Sequence, residues 1–136
     1  MPAEDLSTLH AEIEHDVKAY SDTFVRANHE NDPSLMRPWM HLPVLILGDD
    51  TAIALTTFEE VDARYAEGIA DLRDTDYADS LLSEFEITVL NPTTAFVLCH
   101  CVRSNADGSV HQEFEASYVA VKGPDRWQIA SLISRR

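Results

Sequence analysis

"ADGSVHQEFEASYVAVKGPDRWQIASL", residues 106–132, decides how this chain folds. Glu113, Glu115 and Ser117 alternate with Phe114, Ala116 and Tyr118, the period of two that marks a half-buried strand. "NADG" before it and "KGPD" after it are turn chemistry, with Gly108 and Gly123 where the chain must reverse. The same logic extends in both directions. Four strands are expected at roughly 81–90, 95–104, 109–121 and 126–134, parted by "NPTT", "NADG" and "KGPD". They make an antiparallel meander.

Upstream the period changes. Leu6, Leu9, Ile13, Val17, Tyr20, Phe24 and Ala27 recur every three or four residues, which predicts one long amphipathic helix with Glu4 and Asp5 near its positive end. It should stop near "HENDP", where Asp32 can cap a short helix opened by Pro33, with Leu35 and Met36 inward. A strand from about Leu42 then turns at "GDD" into "TAIAL". Thr57 and Glu60 form a capping box for a third helix, with Phe58, Val61, Tyr65, Ile69 and Leu72 as its apolar stripe. Gly68 inside that helix is costly in propensity and reads as a point of close packing or a bend. The order is α-α-β-β-α-β-β-β-β in a single domain, 1–136, of the α+β class.

Strand parity sorts side chains by face. With four-residue loops, Cys99 lies opposite Phe114, Val97 opposite Ala116, Tyr118 opposite Ile129 and Ala116 opposite Ser131. One face then carries Val97, Cys99, Cys101, Phe114, Ala116, Tyr118, Trp127, Ile129, Ser131 and Ile133. It is apolar and aromatic with a few polar tips. The other carries His100, Glu113, Glu115 and Ser117 beside Phe96, Leu98 and Val119. Glu86 is contested: apolar alternation of Phe85, Ile87 and Val89 sends it outward, whereas a four-residue "NPTT" loop puts it beside Cys99. The apolar pattern decides for outward, with a bulge to reconcile the two.

Composition narrows the function. The chain has 136 residues, enough to bury a core without disulfides or metal, and its 45% hydrophobic and 25% charged content is ordinary for a soluble globular protein. Its charge is not. Ten Lys+Arg against 24 Asp+Glu give −14, which cannot supply the basic surface that nucleic acid or an anionic membrane requires. "MPAEDLSTLH" is acidic where a signal peptide would be basic, and no apolar run reaches bilayer length. Cys99 and Cys101 sit too close to bridge, so a reducing cytoplasm is the expected compartment. The four glycines match no dinucleotide or phosphate loop, and no metal-ligand cluster emerges, so no cofactor is expected.

The element order, together with the ending Arg126-Trp127-Gln128-Ile129 after two turns and a long strand, resembles the nuclear transport factor two–like superfamily. That resemblance implies a curled antiparallel sheet forming a cone, with the long helices closing its concave face over a cavity. The superfamily includes ketosteroid isomerase, scytalone dehydratase, SnoaL-type polyketide cyclases, limonene epoxide hydrolase and many non-catalytic domains. The fold alone therefore leaves function open. Where ketosteroid isomerases place an aspartate base, "MHLPVL" has no carboxylate. Their oxyanion acid falls near Phe114, again without one.

Candidate site residues follow. Pro38 and Pro43 bracket Trp39 and His41, and the expectation is that both turn toward the cavity mouth. His41 would serve as general base, with Tyr20 or Tyr118 as hydroxyl donor to a developing enolate. Phe24, Trp39, Cys99, Phe114, Trp127 and Ser131 would bind the ligand. Cys99 and Cys101 read as small cavity-wall hydrophobes, and His100 as an acid-paired surface histidine. His10 and His15 read as solvated. The leading expectation is a domain that binds a small hydrophobic ligand in an apolar cavity. The alternatives are a dehydratase- or cyclase-type lyase or isomerase acting on a ketone-like substrate, and a pure association module. Phe96, Leu98, Val119 and Leu132 on the outer face favour a homodimer.

Overall fold

The stripe of the N-terminal segment becomes α1, Ala3–Glu30, in a computed structural model that describes residues 3–135. Of the expected 1–136 domain, the first two residues and the last lie outside the described residues. Ile13, Val17, Tyr20 and Ala27 are buried along one face of α1. Each such aliphatic side chain contributes about 1.5–3 kcal/mol of burial. The Asp32 carboxylate caps a short 3-10 helix, Pro33–Trp39, by accepting from the Ser34 amide at 3.1 Å. In α2, Phe58–Arg73, the Glu60 amide donates to the Thr57 hydroxyl at 3.2 Å. The Glu60 carboxylate reaches back to the Thr56 amide at 3.1 Å, one residue before the cap. Val61, Tyr65, Ile69 and Leu72 are buried as the stripe requires, while Phe58 stays 38% exposed beneath the Arg37 guanidinium. Arg37 also pairs with Asp62, tying the short helix to α2.

Six strands form one curled, unclosed sheet: β1 (Met40–Leu47), β2 (Ala52–Leu55), β3 (Tyr77–Asn91), β4 (Thr94–Asn105), β5 (Val110–Lys122) and β6 (Trp127–Ser134), ordered β2-β1-β6-β5-β4-β3. The element order and cone-like curl are those expected. One junction departs from the expectation: β1 runs parallel to β6, so the sheet is mixed rather than wholly antiparallel.

Register departs from the loop counts without disturbing most faces. Cys99 pairs with Ala116 and Cys101 with Phe114, a slip of two that preserves parity. On β3, Glu84 and Phe85 together oppose Cys99, and Glu84 takes φ 54° to make that bulge. Glu86 therefore pairs with Leu98 on the outer face, as the apolar alternation required.

On β6 a bulge does change the answer. Ala120 pairs with Ile129 but Val119 pairs with Ser131, leaving Ala130 extra. Beyond that point parity flips. Leu132 joins Tyr118 on the inner face, and Ser131 and Ile133 leave it.

Candidate functional site

A cavity of about 650 Å³ opens between the inner face of the sheet, α1 and α2. Phe24 from α1, Leu72 from α2, Leu82 from β3, Cys101 from β4 and Phe114 from β5 form apolar wall. Gly68 of α2 also lines it, and a Cβ placed there would meet no atom within 4 Å. Gly68 thus marks open space rather than the close packing its position in a helix suggested.

Three phenols from three elements converge here. Tyr20 and Tyr65 join hydroxyls at 2.7 Å, and the Tyr65 hydroxyl donates to the Met40 sulfur at 3.7 Å. With the Tyr65 proton given to Met40, Tyr20 is the donor to Tyr65. Tyr118 presents its ring edge-on to Tyr20, with centroids 5.8 Å apart. Burial pushes Tyr20 up to about 12, and drives Tyr65 and Tyr118 well above the ordinary phenol range. All three are neutral hydrogen-bonding groups at physiological pH. Burial likewise raises the Cys101 thiol and takes Cys99 to about 12, so neither is a nucleophile.

Arg103 of β4 is the cation of this wall. Its guanidinium lies between the Phe24 and Phe114 rings, at 5.2 and 5.1 Å from their centroids, and donates to Gln112 Oε1 at 3.0 Å. Its Nε is buried without an acceptor. Arg103 sits at a parity position two residues from Cys101, so strand alternation alone would have found it. Tyr65 was legible as part of the α2 stripe, but not as a cavity group.

The structure gathers Tyr20, Phe24, Phe114 and Tyr118 around the cavity and sends the other expected site residues elsewhere. His41 is exposed on β1 and outside the lining, which corrects its expected place at the mouth. The reason is strand parity: Met40, 2% exposed, takes the inward position, so the next residue must face out. Trp39 ends the short helix and stacks under Arg126 at 4.7 Å. Trp127 is buried, its amide bonded to Asp16 Oδ2 at 2.9 Å, beside a separate cleft between α1 and the β5–β6 turn. Cys99 is buried behind the wall. Ser131 donates instead to the Leu45 carbonyl at 3.1 Å, because of the β6 bulge. His15 is exposed, as is His10. His100 lies on the outer face, its ring nitrogens 2.7 Å from Glu115 and 2.6 Å from Glu113, as read from the sequence. No group of three or more potential metal ligands occurs among the described residues.

Comparison with known proteins bears on the fold. The family model described as NTF2-like protein (DUF6841) matches residues 11–136. A protein from Novosphingobium aromaticivorans provisionally named a scytalone dehydratase is 15% identical, with TM-score 0.70 over 98% of this chain and 87% of its own. An NTF2-like protein with a cystatin-like fold from the same organism is 15% identical, with TM-score 0.66 over 97% and 90%. A protein of unknown function from Mycobacterium tuberculosis is 14% identical, with TM-score 0.71 over 99% and 76%. No curated protein matches the chain. At such identities the likeness is one of fold.

Proposed function

We propose, for a chain that belongs to the NTF2-like family DUF6841, that the cavity is a binding site for a small, largely apolar ligand. The observation that carries this reading is the composition of the lining. Phe24, Leu72, Leu82, Cys101 and Phe114 stand beside three neutral phenols, the charged residues Arg64, Asp71, Arg103, Glu115 and Arg135 also border it, and no histidine lines it among the described residues. A volume of about 650 Å³ suits a ligand of two or three fused rings. Phenols that stay neutral orient a carbonyl or hydroxyl without taking a proton from it. Calorimetric titration with 2-acetylnaphthalene, a neutral aromatic ketone, tests the reading. Saturable one-site binding that is lost when Gly68→Phe fills the cavity is expected, and no saturable binding overturns it.

A second reading is favoured by the Tyr20–Tyr65 pair. A hydroxyl backed by a second hydroxyl is a donor suited to a developing enolate, as a lyase or isomerase on a ketone-like substrate would need. His41 has no part in it, being exposed and outside the lining. Loss of turnover on a ketone substrate in Tyr20→Phe, with binding retained, would support that reading over simple binding.

We also propose a homodimer through the outer sheet face, where Phe96, Leu98 and Val119 remain half-buried in the single chain. Leu132, once expected among them, packs inward. Light scattering at micromolar concentration that gives a monomer mass would defeat this proposal. No helix among the described residues is long and apolar enough to cross a membrane. Two free thiols fit a reducing, cytoplasmic setting.

A further inference from the structure

Building on the reading of the cavity as a ligand site, we propose that its ligand carries a carboxylate and that Arg103 is the residue that binds it.

The chain carries 24 acidic residues against ten basic ones, so few of its side chains could hold an anion. Three of those ten cations, Arg64, Arg103 and Arg135, line this cavity, against two carboxylates, Asp71 and Glu115. Glu115 is already engaged, by His100 at 2.7 Å and Arg135 at 3.2 Å. Arg135 is also committed to the Cys99 and Ala116 carbonyls. Arg64 points along its own helix to Glu67 at 4.0 Å. Among the described residues no ion pair forms on Arg103. It is the cavity's available positive charge.

Geometry then makes that charge selective. The guanidinium lies within cation–π distance of both the Phe24 and Phe114 rings, contacts that limit the rotamer freedom binding would otherwise have to restrict. Gln112 accepts from one terminal nitrogen, and the Nε donor has no acceptor. Nε is closed off from solvent, so an arriving carboxylate would be met by the terminal nitrogens of the guanidinium. A planar guanidinium fork lining the cavity matches two carboxylate oxygens in a way that a ketone oxygen cannot. The bland alternative is that Arg103 is only a flat spacer between two rings. That role needs packing, but not charge.

The two roles part in a binding experiment. Wild-type protein is titrated calorimetrically with 2-naphthoate and with 2-acetylnaphthalene, which match in size and differ in charge. Hydrogen bonds to an ionised group imply that naphthoate binds about ten- to a hundredfold tighter. In Arg103→Gln that preference should vanish while ketone binding stays within about twofold of wild type. Arg103→Lys, which keeps the charge but not the fork, should retain part of it. Circular dichroism checks that each variant folds. If Arg103→Gln does not, the wild-type ratio and the lysine variant decide, and a wild-type ratio near one overturns the proposal. Survival of the preference in a folded Arg103→Gln also overturns it. Ketone binding without carboxylate preference rejects the anion site and leaves the cavity reading intact. Binding of neither probe rejects both.

Discussion

The hydroxyls of Tyr20 and Tyr65 meet at 2.7 Å although 45 residues separate them in the chain. Helix α1 supplies one and α2 the other, so the bond fixes how the two helices approach above the sheet. The Tyr65 proton is directed to Met40, which makes the chain of donors directional: Tyr20 to Tyr65 to sulfur. Removing either end of the Tyr20–Tyr65 bond should therefore have unequal effects. Tyr65→Phe strands the Tyr20 proton without an acceptor and should cost about 1–3 kcal/mol in urea unfolding. Tyr20→Phe leaves Tyr65 still bonded to Met40 and should cost less, about 1 kcal/mol or below. A larger loss in Tyr20→Phe than in Tyr65→Phe would mean that the donors run the other way.

Much of this arrangement was legible in the sequence, and the residues assigned to the wrong face share one cause. Caps at Asp32 and Thr57 and the stripes of both long helices follow from local chemistry, which a single sequence displays. Faces along β4 and β5 were recovered because a two-residue slip preserves parity. Ser131 and Leu132 exchanged faces because one extra residue, Ala130, enters β6, and nothing local to that segment announces a bulge. His41 failed by the same arithmetic. The strand begins at Met40, two residues earlier than read, and Met40 claims the inward position. Arg103 was missed for another reason. Parity puts it on the Cys101 face, but what holds a charged side chain there is contact with Phe24 and Phe114 from other elements.

Alkaline titration should expose the buried phenols together. All four tyrosines, Tyr20, Tyr65, Tyr77 and Tyr118, are shifted upward, chiefly by burial. In the unfolded chain they ionise near 10. A raised folded pKa means that the unfolded state loses protons first, so this contribution to stability is whole below about pH 10 and falls as pH rises through about 12, the value for Tyr20. Phenolate absorbance at 295 nm should therefore stay flat at pH 10 and then rise in one step with loss of circular dichroism. A smooth non-cooperative titration centred near 10 would contradict the burial.

On the outer face, His100 offers a different pH test. Both ring nitrogens face carboxylates, so the doubly protonated ring satisfies both contacts at once. Hydrogen bonds to Glu115 first, then Glu113, raise its pKa above the ordinary histidine value. The stabilisation is complete below the unfolded histidine pKa of about 6.5 and is lost as pH rises through the higher folded value. A proton NMR titration should place the His100 midpoint above the ordinary histidine value of about 6.5. Glu115→Gln should bring the His100 midpoint down. His41→Ala should leave stability within about 0.5 kcal/mol and ketone binding unchanged, as for a surface residue outside the lining.

Gly68 gives the sharpest separation of stability from function. It lies in the interior of α2, where glycine costs about 0.5–1 kcal/mol relative to alanine, and a Cβ there meets nothing within 4 Å. A close-packed glycine would give the opposite forecast, since any added carbon would collide. Gly68→Ala should therefore raise stability by about 0.5–1 kcal/mol, because helix propensity improves and no neighbour is displaced. Gly68 also lines the cavity, so a large side chain there competes for its space. Gly68→Phe should fold, keep the helical circular dichroism signal, and occupy space that the ligand needs. Binding of 2-acetylnaphthalene should then fall by at least about tenfold, roughly 1.4 kcal/mol. Unfolding measurements and calorimetry on the same two variants give both readouts. If alanine destabilises the protein, the space beside Gly68 is not open. If phenylalanine leaves binding intact, the ligand does not enter past α2.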